Sequence, residues 1–287
     1  MKNVEGKKLN FVFWGTPDVA SETLEILKQN GYLPSLIITA TDKPQGRKML
    51  ITPPEVKKWA IKNNIPYIQP EKLDEEFSNK LKTTSYELFV VVAYGKIIPE
   101  EILNIPKLGS VNIHYSLLPE YRGASPVESA ILNGDIVTGV TIQKMIFKMD
   151  AGPILAVEKT NIFPDEKASE LKNRLIKIGG DLLVKILPDL IEGTIKEVSQ
   201  DESQATFCKK IKKEDGLVDL GAELPSVLYN KFKAYAVWPR IFFFQNGKRI
   251  IITDAVLENG EFIIKKVLPE GKKEIDYKDF NLRYSVD

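Results

Sequence analysis

Apolar and polar positions alternate in blocks along the first two thirds of the chain. Asn10-Phe-Val-Phe-Trp14 is an apolar run closed by Gly15, which predicts a buried strand and then a tight turn. From Ala20 to Asn30, Leu24, Ile26 and Leu27 recur at helical spacing, with Gly31 as a stop. Ser35 to Thr39 predicts a second strand, with Pro34 placed where a strand can start. A loop rich in Pro, Lys and Thr follows over 41–54, and Glu55 to Asn63 is helical. Leu88-Phe-Val-Val-Val-Ala93 is continuously apolar, the pattern of a parallel strand covered on both faces. Val111 to His114 and Gly139 to Met145 predict further strands, Ser125 to Asn133 a helix, and Ala168 to Leu190 a long helix with Pro188 near its end. Strands alternating with helices give an α/β fold, a Rossmann-like doubly wound and mostly parallel sheet. Sites in such folds form at the carboxyl ends of strands. Four features fall there: Gly15-Thr-Pro-Asp18, the loop after Ala40, Tyr94-Gly-Lys96, and His114.

The pattern changes after about Gly193. Glu197 to Lys213 is polar and charged and reads as a linker, and Leu224 to Tyr235 reads as a helix. Short β-like runs follow at Ile241–Phe244, Arg249–Thr253, Glu261–Lys265 and Glu274–Tyr277, separated by Asn246-Gly247 and Asn259-Gly260. Asn-Gly between apolar runs is a strong hairpin signal. The predicted organisation is a catalytic domain over 1–194, a linker over 195–208, and a small OB-like β-barrel over 209–287.

Composition narrows the picture. The 287 residues carry a formal charge of +1, so no global basic field points to nucleic acid. A hydrophobic content of 43% supports a real core. Cys208 is the single cysteine, which rules out an internal disulfide and fits a reducing cytosol. The N-terminus is polar and mixed in charge, and the longest apolar stretch is far too short to span a bilayer. The expectation is a soluble, cytoplasmic monomer that does not enter a membrane. Locally, Lys209 to Arg249 holds nine Lys/Arg against four Asp/Glu, a basic stripe of the kind phosphate binding needs.

His114 is the only histidine. Imidazole titrates nearest neutral pH and is the commonest proton-transfer group. Asn112 lies two residues earlier and so faces the same side of the strand, where its amide can donate to an oxyanion. Asp150 sits on a turn before Ala151-Gly152-Pro153. A carboxylate beside an imidazole favours the charged ring and fixes its tautomer. With no activated nucleophile in evidence, the trio suits direct acyl transfer to an amine. Ser116 lacks a G-x-S-x-G setting and reads as a turn cap. Gly15-Thr-Pro-Asp18 lacks the G-x-G-x-x-G fingerprint and reads as a βα turn with Asp18 as helix N-cap. One His and one Cys cannot assemble a usual zinc shell, so no metal is expected.

Asn112-Ile-His-Tyr-Ser-Leu-Leu-Pro119, Tyr121-Arg-Gly-Ala-Ser-Pro126, Gly139-Val-Thr-Ile142 and Met149-Asp-Ala-Gly-Pro153 together resemble the 10-formyltetrahydrofolate-dependent formyltransferases. Gly15-Thr-Pro-Asp18, Lys43-Pro-Gln-Gly-Arg47, Val91-Val-Ala-Tyr-Gly95, Thr206-Phe-Cys-Lys-Lys-Ile211 and Trp238-Pro239 are similar to the members that formylate methionyl initiator tRNA. The resemblance implies catalysis by Asn112, His114 and Asp150. It implies that 10-formyltetrahydrofolate lies along Val92, Ala93, Tyr94, Gly95, Lys96 and Ile97, and along Lys148, Met149 and Gly152, with Ser116, Leu117, Leu118 and Pro119 and the pair Arg122-Gly123 as walls. It also implies tRNA contacts from Lys43, Arg47 and Lys48 and from Lys209, Lys210 and Lys212 in the second domain. After Arg47 the chain reads Lys48-Met-Leu-Ile51, where the family usually continues with basic residues. Transfer to a small amine, tRNA binding without catalysis, and hydrolysis of the formyl folate are the rival readings.

Overall fold

The computed structural model describes residues 9–46 and 49–284. In chain order its strands begin with β1 (Phe11–Gly15), β2 (Leu36–Ile38), β3 (Lys43–Gln45), β4 (Leu50–Thr52), β5 (Tyr67–Ile68), β6 (Leu88–Val92) and β7 (Ser110–His114). They continue with β8 (Arg122–Gly123), β9 (Val137–Lys144), β10 (Ile154–Asn161), β11 (Phe207–Cys208), β12 (Phe242–Gln245), β13 (Lys248–Glu258), β14 (Glu261–Pro269) and β15 (Ile275–Asp276). The helices are α1 (Asp18–Gln29), α2 (Glu55–Lys62), α3 (Glu75–Lys82), α4 (Glu100–Leu103), α5 (Pro126–Asn133), α6 (Ala168–Glu192), α7 (Pro225–Ala234) and α8 (Tyr277–Tyr284).

Seven strands form one sheet in the order β10-β9-β7-β6-β1-β2-β5. Pairings from β5 through β2, β1 and β6 to β7 are parallel, and β9 runs antiparallel to β7. The chain leaves β1 toward β2 on one side and returns to β6 on the other. Strand order therefore reverses between β1 and β6, and a crevice beyond their carboxyl ends is the place such a sheet offers a ligand. β6 is buried along its whole length, as its unbroken apolar run requires. On one face Val12, Trp14, Ile38, Phe89 and Val91 pack with Phe77 and Leu81 of α3 and with Ile102 and Leu103 of α4. Trp14 meets Phe77 and Tyr94 edge-on, with ring centroids 6.2 and 5.2 Å apart.

Several elements differ from the sequence expectation. The 41–54 loop contains a hairpin in which Lys43 pairs with Thr52 and Pro44 with Ile51. Asp18 is not the N-cap of α1: Pro17 occupies that position, and Asp18 Oδ1 accepts from the Val19 N–H inside the first turn at 2.8 Å. α3 is a charged segment with only a narrow apolar side, and Asp74 caps it by accepting from the Phe77 N–H at 3.1 Å.

Contacts divide the chain into two compact units, Met1–Arg122 with Gly139–Lys159 and Asn173–Thr206, and Gly123–Thr138 with Thr160–Lys172 and Phe207–Asp287. Within the second unit, the region read as an OB-like barrel forms an antiparallel sheet in the order β12-β13-β14-β15, with β12 and β15 at its edges. Asn246, Gly247, Asn259 and Gly260 all have positive φ, the backbone that two-residue hairpin turns need. In the same unit Tyr229 Oη donates to Asp165 at 2.8 Å and Lys233 Nζ to the Pro164 carbonyl at 2.8 Å, fastening residues 160–172 to α7. No helix among the described residues is long and apolar enough to cross a membrane.

Candidate active site

β6, β7 and β9 set the site through their register. Val91 pairs with Asn112, and Asn112 pairs with Gln143. Paired residues share a sheet face, so three polar or backbone groups line up across three strands. Asn112 Nδ2 donates to the Val91 carbonyl at 3.0 Å, which fixes the amide's orientation and leaves its second N–H without a protein partner among the described residues. Gln143 Nε2 donates to Asp150 Oδ1 at 2.9 Å and lies 3.5 Å from Asn112 Oδ1. One buried amide thus spans two members of the expected trio.

His114 closes β7 and is 5% exposed. Its Nε2 lies 2.9 Å from the Tyr121 carbonyl. A carbonyl only accepts, so the neutral ring carries its proton on Nε2. Nδ1 faces Asp150 Oδ1 at 3.7 Å. The tautomer is therefore set by the Tyr121 main chain, and not by Asp150 as the sequence reading expected. Asp150, half-buried, stands opposite the bare nitrogen, where a carboxylate stabilises the ring once that nitrogen is protonated.

Three residues around this point have left-handed backbones despite carrying a Cβ: Ala93 (φ 46°), Tyr121 (φ 56°) and Asp150 (φ 49°). Such conformations are costly and gather where function over-determines the chain. Bonds around the Asp150 loop supply that constraint. Gln200 donates to the carbonyls of Asp150 and Gly152 at 2.9 and 2.7 Å. Arg122, 1% exposed, donates to Gln200 Oε1 from Nε (3.1 Å) and Nη2 (2.8 Å), and to Glu202 from Nη1 (3.1 Å) and Nη2 (2.9 Å). Lys148 reaches Glu202 at 2.6 Å. Bonds first from Arg122 and then from Lys148 hold the Glu202 carboxyl down at about 2.

The other expected site residues divide. Ala93, Gly95, Lys96 and Ile97 are exposed beyond the end of β6, and Val92 is buried in the strand. Tyr94 belongs to the core against Trp14, and burial pushes its hydroxyl up to about 12. Lys96 turns to the carbonyls of Pro70 and Glu71 at 2.9 and 3.1 Å. Ser116 is buried, and its hydroxyl donates to the Glu120 carbonyl at 2.6 Å, the turn role expected of it. Leu118 is buried, Leu117 and Pro119 are half-buried, and Lys148 and Met149 are exposed. Gly152 is buried where a Cβ would stand 1.8 Å from the Lys144 carbonyl oxygen. Lys43, Lys209, Lys210 and Lys212 are exposed, while Arg47 and Lys48 lie outside the described residues. Met49, Leu50 and Ile51 beside them are exposed as well.

Sequence reasoning missed Gln143 and Gln200. Gln143 was findable: it is the polar position on β9 that an Asn112-facing register demands. Gln200 sits in a polar run with no periodic signal. That run is not a free connector, since Val198 bonds both ways with Ile154, and Thr206 bonds with Pro119, Tyr121 and Arg122. Among the described residues no group of three or more His, Cys, Asp or Glu could hold a metal ion.

Comparison with known proteins bears on this arrangement. A family model described as formyl transferase matches residues 7–187, and one described as the formyl transferase C-terminal domain matches residues 210–263. Methionyl-tRNA formyltransferase of Sulfurihydrogenibium sp. is 40% identical over 249 residues, covering 86% of this chain and 80% of that protein. The protein of the same name from Thermotoga maritima is 42% identical over 228 residues, covering 79% and 72%. Among solved structures, methionyl-tRNA formyltransferase from Clostridium thermocellum superposes with a TM-score of 0.61 at 18% identity, over 93% of this chain and 99% of that one.

Proposed function

The chain belongs to the methionyl-tRNA formyltransferase family, and we propose that it transfers the formyl group of 10-formyltetrahydrofolate to the α-amine of methionyl initiator tRNA, for translation initiation. The observation that carries the chemistry is the meeting of Asn112, His114 and Asp150 at the carboxyl ends of β6 and β7. The formyl folate is the co-substrate and supplies an electrophilic carbon. The exposed residues Ala93 and Gly95 to Ile97 leave room for a flat ring laid beyond the end of β6. Leu117 and Pro119 are wall residues in this reading, and Met149 closes the opposite side.

Each residue has one task. The uncommitted N–H of Asn112 donates to the oxyanion of the tetrahedral intermediate as the amine attacks the formyl carbon. His114 Nδ1, the nitrogen without a proton, takes the proton that the attacking amine must lose, and later returns it to the departing folate nitrogen. Asp150 stabilises the imidazolium in between, 3.7 Å away. Acyl transfer is direct, with no covalent intermediate on the protein. Residues 1–194 supply the reacting groups, and Lys209, Lys210 and Lys212 in the 209–287 region engage tRNA phosphates, together with Lys43, Arg47 and Lys48. The working form is a cytoplasmic monomer.

The test offers 10-formyltetrahydrofolate with three acceptors: methionyl initiator tRNA, a small primary amine, and water. Transfer to the tRNA that falls sharply in Arg47→Ala, with folate binding unchanged, is the expected result. Transfer to the small amine alone, or formate release without tRNA, overturns the substrate.

A further inference from the structure

The left-handed backbone of Asp150 persists only because its surroundings impose it, and the bonds that do so converge on Gln200. Both hydrogens of the Gln200 amide are used, one on the Asp150 carbonyl and one on that of Gly152. Its oxygen takes two bonds from Arg122. An arginine side chain has only donors, so only the amide oxygen can face it. Arg122 thereby forces both Gln200 N–H groups toward the Asp150 loop. The guanidinium is buried and its charge is met by Glu202, so its own position is fixed. The residue before it, Tyr121, lends its carbonyl to His114 Nε2. One step of chain, 121–122, orients the imidazole directly and, through Gln200, fixes the main chain that carries the Asp150 carboxylate, whose Oδ1 takes its own bond from Gln143.

We propose that Arg122 and Gln200 are positioning residues for formyl transfer, a relay that holds the Asp150 carboxylate opposite His114 Nδ1. The relay rests on the reading of Asp150 as a member of the catalytic trio, and the experiment separates the two. Gln200→Leu removes the donors and the acceptor at a half-buried position, and Gln200→Glu keeps the shape but loses both donors. For each, kcat and the folate KM are measured from pH 5 to 9, beside thermal melting and beside Asp150→Asn.

A misplacement of about 1 Å in a catalytic constellation costs about 100-fold, so kcat should fall by up to about that factor in both variants. The folate KM should stay within about 3-fold, because a misplaced carboxylate affects chemistry more than uniform binding. The pH profile of kcat should also change shape. A merely structural role would lower Tm and the active fraction while leaving that profile in place. Wild-type kcat in either folded variant overturns the relay, as does a loss matching the unfolded fraction. An inactive Asp150→Asn beside wild-type Gln200 variants removes the relay alone. Wild-type kcat in Asp150→Asn removes the trio and the relay with it.

Discussion

Adding a single methyl group at Gly152 perturbs the Asp150 loop without touching any reacting group. A Cβ there would lie 1.8 Å from the Lys144 carbonyl oxygen and 3.0 Å from its carbon. Ordinary contact is about 3.5 Å, so the loop or the end of β9 must yield by roughly 1.7 Å. The obstacle is backbone, which cannot swing aside as a side chain does. Lys144 N also bonds to the Pro153 carbonyl at 2.9 Å, so the two segments are tied and the shift must pass into the loop. A misplacement of about 1 Å in a catalytic constellation costs around 100-fold. Gly152→Ala should therefore lower kcat for formyl transfer at least about 100-fold. Overpacking of this kind costs about 1–3 kcal/mol, which at this size lowers Tm by roughly 2–5 °C. The assay is single-turnover transfer with saturating folate, run beside thermal melting. Gly221→Ala is the control, because its nearest contact would be an ordinary 3.6 Å to Asp219 Oδ1. A Gly152→Ala protein with wild-type single-turnover rate would refute the claim that the loop geometry governs the chemistry.

Further outcomes follow from charge and packing. The Glu202 carboxyl, held at about 2 in the folded chain against an ordinary 4.5, contributes stability that is present above about pH 4.5 and is lost as pH falls toward 2. In urea titrations the difference between wild type and Glu202→Gln should be constant above that range and shrink below it, and a difference flat down to pH 2 would contradict the pairing. Phe89 is fully buried between Trp14 and the helices, so Phe89→Ala should cost about 3–5 kcal/mol in the same titration. A loss under about 1 kcal/mol would count against that core. Affinity for tRNA should fall steeply with salt, and Lys209→Ala with Lys210→Ala should reduce the slope of log affinity against log salt by up to about 2. An unchanged slope would take those lysines out of the interface.

Legibility in the sequence followed physical cause. The buried strands were readable because a short unbroken run rich in β-branched residues, such as Leu88 to Val92, favours a buried strand, and the Asn-Gly turns because their backbone excludes most residues. Asn112 and His114 were readable as a pair because strand periodicity puts i and i+2 on one face. α3 was not, since only Phe77, Ser78 and Leu81 are buried among its eight residues. Asp150 was found, but what holds it was hidden. Gln200 is fifty residues away along the chain and reaches the loop through tertiary contacts that no local pattern encodes. The direction of the His114 proton was hidden for the same reason, because a main-chain carbonyl at Tyr121 leaves no mark in side-chain identity.

The central claim is that Asn112 and His114 act on the transferring formyl group. Single-turnover transfer from 10-formyltetrahydrofolate to methionyl initiator tRNA by Asn112→Ala and His114→Ala tests it most directly. Removal of one oxyanion donor costs about 100- to 1000-fold, so Asn112→Ala should lose that much and His114→Ala at least as much. Rates near wild type in either folded variant would contradict the account.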